Sequence, residues 1–219
     1  MHRRAFTLME LLLVVAIIAL LVALLLPVFQ QARKKSYEPV CTSNLRQFYV
    51  AFSLYREDYG DAPKYQVRLL PYIKDKRILR CPADPTKSGI AWFEASGIIS
   101  GPLLETSYIF FRPFCDSFRD IMARHDPNHG IAVCVVHGEV GSPLRPPSPL
   151  NYTGKLLRLR LDGSVQIAHA LLLCHKKPEE PYPSAGRHGW LDYTDIRPIP
   201  QEVLDTWVAF RGEQVWECR

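Results

Sequence analysis

The sequence predicts an α+β protein in which one long N-terminal helix, apolar enough to span a membrane, leads into a globular head with a small antiparallel β-sheet. Three observations predict it. Residues 11–29 contain no charge. Leu45, Phe48, Tyr49, Phe52, Tyr55 and Tyr59 then recur at the spacing of one helical face. Further on, Leu157, Leu159 and Leu161 alternate with Arg158 and Arg160 ahead of Asp162-Gly163, the pattern of a strand entering a hairpin. The chain has 219 residues, and those after Gly60 suffice for one domain of ordinary size.

At about 1.5 Å per residue, residues 6–29 are long enough to cross the roughly 30 Å hydrocarbon core of a bilayer, and Glu10 is their only charge. A secretory signal has a shorter apolar run, of about 7–15 residues, ending at a small-residue cleavage site. Here the run is longer and an acid interrupts its beginning. A carboxylate at the centre of a spanning helix costs roughly 2.5–3.5 kcal/mol, less near an end, so Glu10 calls for a cationic partner. A free amine is the simplest one.

Arg3-Arg4-Ala5, then Phe6-Thr7-Leu8-Met9-Glu10-Leu11-Leu12, then an Ala/Ile/Leu/Val run closed by Pro27, together resemble the prepilin leader of type IV pilins and of the pseudopilins of type II secretion systems. The family usually has Gly where this chain has Ala5. The resemblance implies that a prepilin peptidase cuts between Ala5 and Phe6 and that Phe6 is then N-methylated. It also implies that Glu10 meets the Phe6 amine of a neighbouring subunit, and that Pro27 loosens the helix locally. The implied partners are homologous pilin or pseudopilin subunits, the prepilin peptidase, the inner-membrane assembly platform and membrane lipid. The implied organisation is a leader at 1–5, a transmembrane helix at 6–29, a helical stalk continuing into the head at 30–59, and a loop-rich β head at 60–219.

Positive charges flank the span on both sides, His2, Arg3 and Arg4 before it and Arg33, Lys34 and Lys35 after it, so the charge rule alone does not orient it. The six cysteines, Cys41, Cys81, Cys115, Cys134, Cys174 and Cys218, all follow the span. An even number on one side fits an oxidising compartment, which places the head outside the cytoplasm; the resemblance implies the periplasmic or extracellular side of a bacterial inner membrane. Sequence does not choose among the connectivities six cysteines allow. The expected pairs are Cys41 with Cys81, Cys115 with Cys134, and Cys174 with Cys218, against the alternative of buried thiols.

Beyond the span, residues 30–38 extend the helix as far as Pro39, which disfavours helix for the residue before it. A second helix is expected to start near Thr42 or Ser43, either of which can cap it, and to end at Gly60-Asp61-Ala62-Pro63. Cys41-Thr42-Ser43-Asn44-Leu45 on this helix and Cys81-Pro82-Ala83-Asp84 after it are similar to a group of prepilin-type proteins from environmental bacteria. Members of that group often carry a His ten residues before an Asp-Gly turn; here Tyr152 stands in its place before Asp162-Gly163. The alternating residues 157–161 predict a strand with one buried and one wet face, a two-residue Asp162-Gly163 turn, and a return strand through Val165 and Ile167. Residues 131–136 read as another strand and 107–111 as a further one. Four prolines among residues 141–149 read as a surface loop, as do 179–183 and 198–200, and 18 prolines overall argue for a loop-rich head.

A formal charge of +5 is mildly basic, and Arg33-Lys34-Lys35 is the one basic run, best placed at lipid headgroups, so no nucleic-acid surface is indicated. His125-x3-His129-x4-Cys134-x2-His137 contains zinc-binding residue types, with an unorthodox spacing and a turn-like Asp126-Pro127-Asn128 inside it. Asp84 and Asp162 are candidate calcium ligands, although turn aspartates ordinarily bond their own backbone. No nucleophile elbow, phosphate-cradling glycine loop or dinucleotide fingerprint is present. The expectation is therefore a structural subunit of a pilus or pseudopilus, with no catalysis and no cofactor. The alternative is a membrane-tethered periplasmic binding or catalytic domain that uses the leader as an anchor.

Overall fold

A computed structural model describes residues 8–63, 66–84, 106–110, 116–135, 137, 139–140, 152–170, 172–176, 184–187, 193–212 and 214–217. The chain divides into two compact units, Met1–Glu38 and Pro39–Arg219. One α-helix, α1 (Leu8–Tyr59), runs without interruption. Pro39 therefore does not end a helix, and Thr42 and Ser43 lie inside α1 rather than capping a second one. A proline inside a helix costs about 3 kcal/mol, and each fully buried large apolar side chain contributes about 1.5–3 kcal/mol. Leu45, Phe48, Phe52 and Tyr55, just beyond Pro39, are all buried. Lys35 and Pro39 are both exposed.

After α1, two short 3-10 helices, Gln66–Tyr72 and Lys76–Leu79, pass along its buried face, the second capped by Asp75, whose Oδ1 accepts from Arg77 N at 2.9 Å. The main sheet is antiparallel and centred on β4 (Tyr152–Arg160). One edge of β4 pairs with β5 (Val165–Ala170). Its other edge pairs with β2 (Gly130–Cys134) and, farther along, with β3 (Glu139–Val140), while β1 (Ile109–Phe110) adds outside β2. A separate sheet joins β6 (Leu172–Lys176) to β7 (Ser184–Arg187) and β8 (Gln214–Glu217). The strands expected at 107–111, 131–136 and 157–167 are β1, β2 and the β4–β5 hairpin.

The hairpin differs from expectation in two ways. Arg160 N donates to Ser164 O at 2.9 Å and Gly163 N to Arg160 O at 3.0 Å, so the loop holds three residues, with Gly163 in the left-handed region at φ 84°. A tight turn followed by a left-handed glycine matches the twist of the strands it joins. Nor is β4 wet on one face. Leu157 and Leu159 pack with the α1 stripe, and Leu156 packs on the opposite side with Val133, Met122 and Val203. Two further helices supply that second layer, α2 (Asp116–His125) and α3 (Gln201–Arg211). Because successive strand residues face opposite ways, β2 divides likewise, with Ala132 and Cys134 toward α1 and Val133 and Val135 toward the second core.

Arg158 lies on that second face and is fully buried. Its NH1 is 2.9 Å from Asp195 Oδ1, and its NH2 donates to Thr194 O at 3.2 Å. The guanidinium crosses the apolar layer and meets a carboxylate at the surface, so the aliphatic stem packs while the charge stays paired.

Candidate functional site

Leu8–Phe29, the first 22 residues of α1, is the one segment among the described residues long and apolar enough to cross a membrane. At about 1.5 Å per residue it measures about 33 Å, against roughly 30 Å of hydrocarbon. Its large apolar side chains are exposed, from Leu8 to Phe29. An exposed apolar surface of this length, broken only by Glu10 near its start, requires lipid or other apolar helices around it. Glu10 sits in the first turn, and Pro27 lies within the helix without ending it. Ala5 and Phe6 fall outside the described residues.

In the head, a second constellation gathers residues far apart in sequence. Cys41 from α1, Cys81 from the turn after the second 3-10 helix, Cys134 from the end of β2 and His137 just beyond it place their ligand atoms within 4.8 Å of one another. The three cysteines are buried and His137 is half-buried. Cys41 Sγ and Cys81 Sγ lie 2.6 Å apart, and Cys81 Sγ lies 3.6 Å from His137 Nε2. The first distance exceeds the roughly 2.05 Å of a disulfide bond.

The surrounding backbone fixes these donors. Cys41 falls on the inward stripe of α1, four residues before Leu45. Asn44 Nδ2 donates to Arg80 O at 3.1 Å and to the Tyr108 hydroxyl at 2.9 Å, tying α1 to the residue preceding Cys81. Thr106 Oγ1 and Ser107 N both donate to Leu79 O, at 2.7 and 2.9 Å. Asp84 N donates to Cys81 O at 3.0 Å and its carboxylate accepts from Ser107 Oγ at 2.6 Å. The Cys-x-Ser-Asn-Leu and Cys-Pro-x-Asp segments are thus two walls of one site. Burial pushes the Cys134 thiol well up, reinforced by hydrogen bonds with Cys41 and Cys81. Burial raises the Tyr108 phenol too, with the neighbouring cysteines adding to it and Asn44 opposing. Such a pocket disfavours thiolates unless a cation compensates them.

The structure rearranges the residues that sequence grouped. Cys134 and His137 belong together, but His125 pairs with Glu202 and His129 Nδ1 bonds Gly130 O at 2.9 Å, each away from the thiols. The missing donors are Cys41 and Cys81, and the only sequence signal joining them to Cys134-x2-His137 was residue type. Cys115 and Cys218 lie outside the described residues, and Cys174 is in β6 opposite Ala185 and Trp216. Asp162 accepts from Ser164 N at 2.8 Å and Asn128 Nδ2 at 2.6 Å, so its carboxylate closes its own turn. Ser164 first, then Asn128 and Arg160, hold it below the usual carboxylate range.

No curated protein and no solved structure matches the chain. A family model does match at its start, over residues 1–26, described as the prokaryotic N-terminal methylation motif. That motif ends within the apolar stretch of α1, so the chain opens with the leader of type IV pilins and pseudopilins, joined to a helix suited to membrane anchoring.

Proposed function

We propose that the protein is a structural subunit of a type IV pilus or a type II secretion pseudopilus. Prepilin peptidase cuts between Ala5 and Phe6 and methylates Phe6. The mature helix waits in the inner membrane with the head outside the cytoplasm, then leaves the lipid to bundle with the helices of sister subunits on the assembly platform. The observation that carries this reading is the continuity of the methylation motif at residues 1–26 with the exposed apolar helix Leu8–Phe29. Lipid satisfies such a surface before assembly and neighbouring helices satisfy it afterwards. Glu10 sets the register, because a carboxylate in apolar surroundings is stabilised by an amine, and the new Phe6 N-terminus of a neighbouring subunit supplies one. The protein catalyses nothing; assembly is its activity.

Mass spectrometry of the mature N-terminus in cells with the peptidase is expected to find methylated Phe6, and sheared surface or pseudopilus fractions are expected to contain the protein. Glu10→Ala should insert in the membrane normally yet fall at least about tenfold in the filament fraction, the loss of roughly 1.4 kcal/mol or more of pairing. Recovery of an intact Met1 from peptidase-containing cells would instead indicate a simple anchor.

A further inference from the structure

We propose that Cys41, Cys81, Cys134 and His137 form a structural zinc site that staples α1 to the sheet of the head. This inference does not depend on filament assembly. Four donors of the residue types that bind zinc converge within 4.8 Å, three buried sulfurs and one half-buried ring nitrogen. The number of donors decides between the two chemistries open to them. A disulfide uses two of the three sulfurs and strands the third beside it in an apolar pocket. A tetrahedral cation uses all four groups, in the Cys3His set of structural zinc sites.

One of the two sulfur distances matches the same choice. A zinc ion held by a thiolate at about 2.3 Å and an imidazole nitrogen at about 2.0–2.1 Å separates the two ligand atoms by about 3.6 Å in a tetrahedral arrangement. Cys81 Sγ and His137 Nε2 are 3.6 Å apart. Two thiolates on such an ion stand about 3.8 Å apart, so Cys41 and Cys81, now at 2.6 Å, have to part by about an ångström. A χ1 adjustment of one side chain covers that distance. Asn44, Thr106 and Ser107 hold the backbone on either side of the site, so the ligands are largely positioned before any ion arrives. The half-exposed His137 supplies the entry path. Binding displaces the thiol protons, so zinc affinity rises with pH.

The chemistry also fits the architecture. Cys41 comes from α1, Cys81 from the segment after the second 3-10 helix, and Cys134 and His137 from the end of β2. One ion therefore cross-links three elements separated by 40 and 53 residues of chain, as follows from the positions of Cys41, Cys81 and Cys134. Loops of that length are costly to close in the unfolded state, so metal binding and head folding are strongly linked.

The test uses the full chain in detergent. The protein is purified after expression with supplementary zinc, and a second sample is reduced anaerobically, stripped with chelator and titrated with zinc or cobalt. Elemental analysis is expected to find one zinc per chain, with Cys41, Cys81 and Cys134 shielded from alkylation until chelator is added. The cobalt form is expected to show thiolate-to-cobalt charge-transfer bands and the strong ligand-field absorption of a tetrahedral site. His137→Ala, at a half-exposed position outside both cores, should lower zinc affinity at least about tenfold while leaving the far-ultraviolet circular dichroism unchanged; Cys134→Ser should lower it further. Failure of the reduced chain to take up either metal overturns the proposal, as does equal zinc retention by the wild type and His137→Ala. Recovery of a Cys41–Cys81 disulfide in a chain that binds no zinc after reduction would assign the pair to a covalent staple instead.

Discussion

Gly163 is constrained twice over. Its φ of 84° lies where L side chains are disfavoured, and a Cβ there would stand 2.7 Å from Tyr49 Cε1 on α1. Gly163→Ala is therefore expected to cost at least about 1–2 kcal/mol from the backbone alone, and more from the ring contact. Denaturant midpoints will measure it, and a Tyr49→Ala background should recover the ring contribution but not the backbone one. The Asp162-Gly163 pair was legible in the sequence because its reasons are local. Arg158 was not. Alternation placed it on a wet face, whereas α2 and α3 cover that face and Asp195 receives its charge. No residue near Arg158 in sequence announces that cover.

At the scale of elements, α2 and α3 are joined at their surface by Glu202, which meets His125 and, at 2.8 Å, Arg124. The hydrogen bond from His125, then the bond and charge of Arg124, hold the Glu202 carboxyl below its ordinary value. A depressed carboxyl contributes its stabilisation in full above the ordinary carboxylate range and loses it as pH falls through the depressed value. The melting temperature is thus expected to fall between about pH 5 and the acid side of that range, and Glu202→Gln, which cannot titrate, should flatten part of this fall. An identical acid limb in wild type and variant would remove Glu202 as a contributor. α3 was also readable in retrospect. Pro198 and Pro200 precede it, Val203 and Trp207 stand four apart on its buried side, and Gly212 caps it in the left-handed region with its N bonded to Val208 O at 2.8 Å. The prolines concealed it by suggesting only loop. For α1 the reverse held: Pro39 looked like a stop, and the helix passes through it.

On the scale of the whole molecule, both hydrophobic cores found among the described residues are built from Cys41 onward. A chain lacking residues 1–29 is expected to remain in aqueous solution without detergent and to unfold cooperatively near the temperature of the full-length head, as followed by circular dichroism; aggregation of that chain would mean the apolar segment also serves the head. The amino-acid sequence by itself determined the leader, the spanning segment, the helical stripe and the main hairpin, because each depends on residues within a few turns or strand repeats of one another. Tertiary structure alone decided that the sheet is covered on both faces, that α1 passes through Pro39, and that Cys41 and Cys81 join Cys134 and His137. The first and last of these share a physical reason: each is settled by packing between segments dozens of residues apart, and spacing along a chain carries no measure of distance across it.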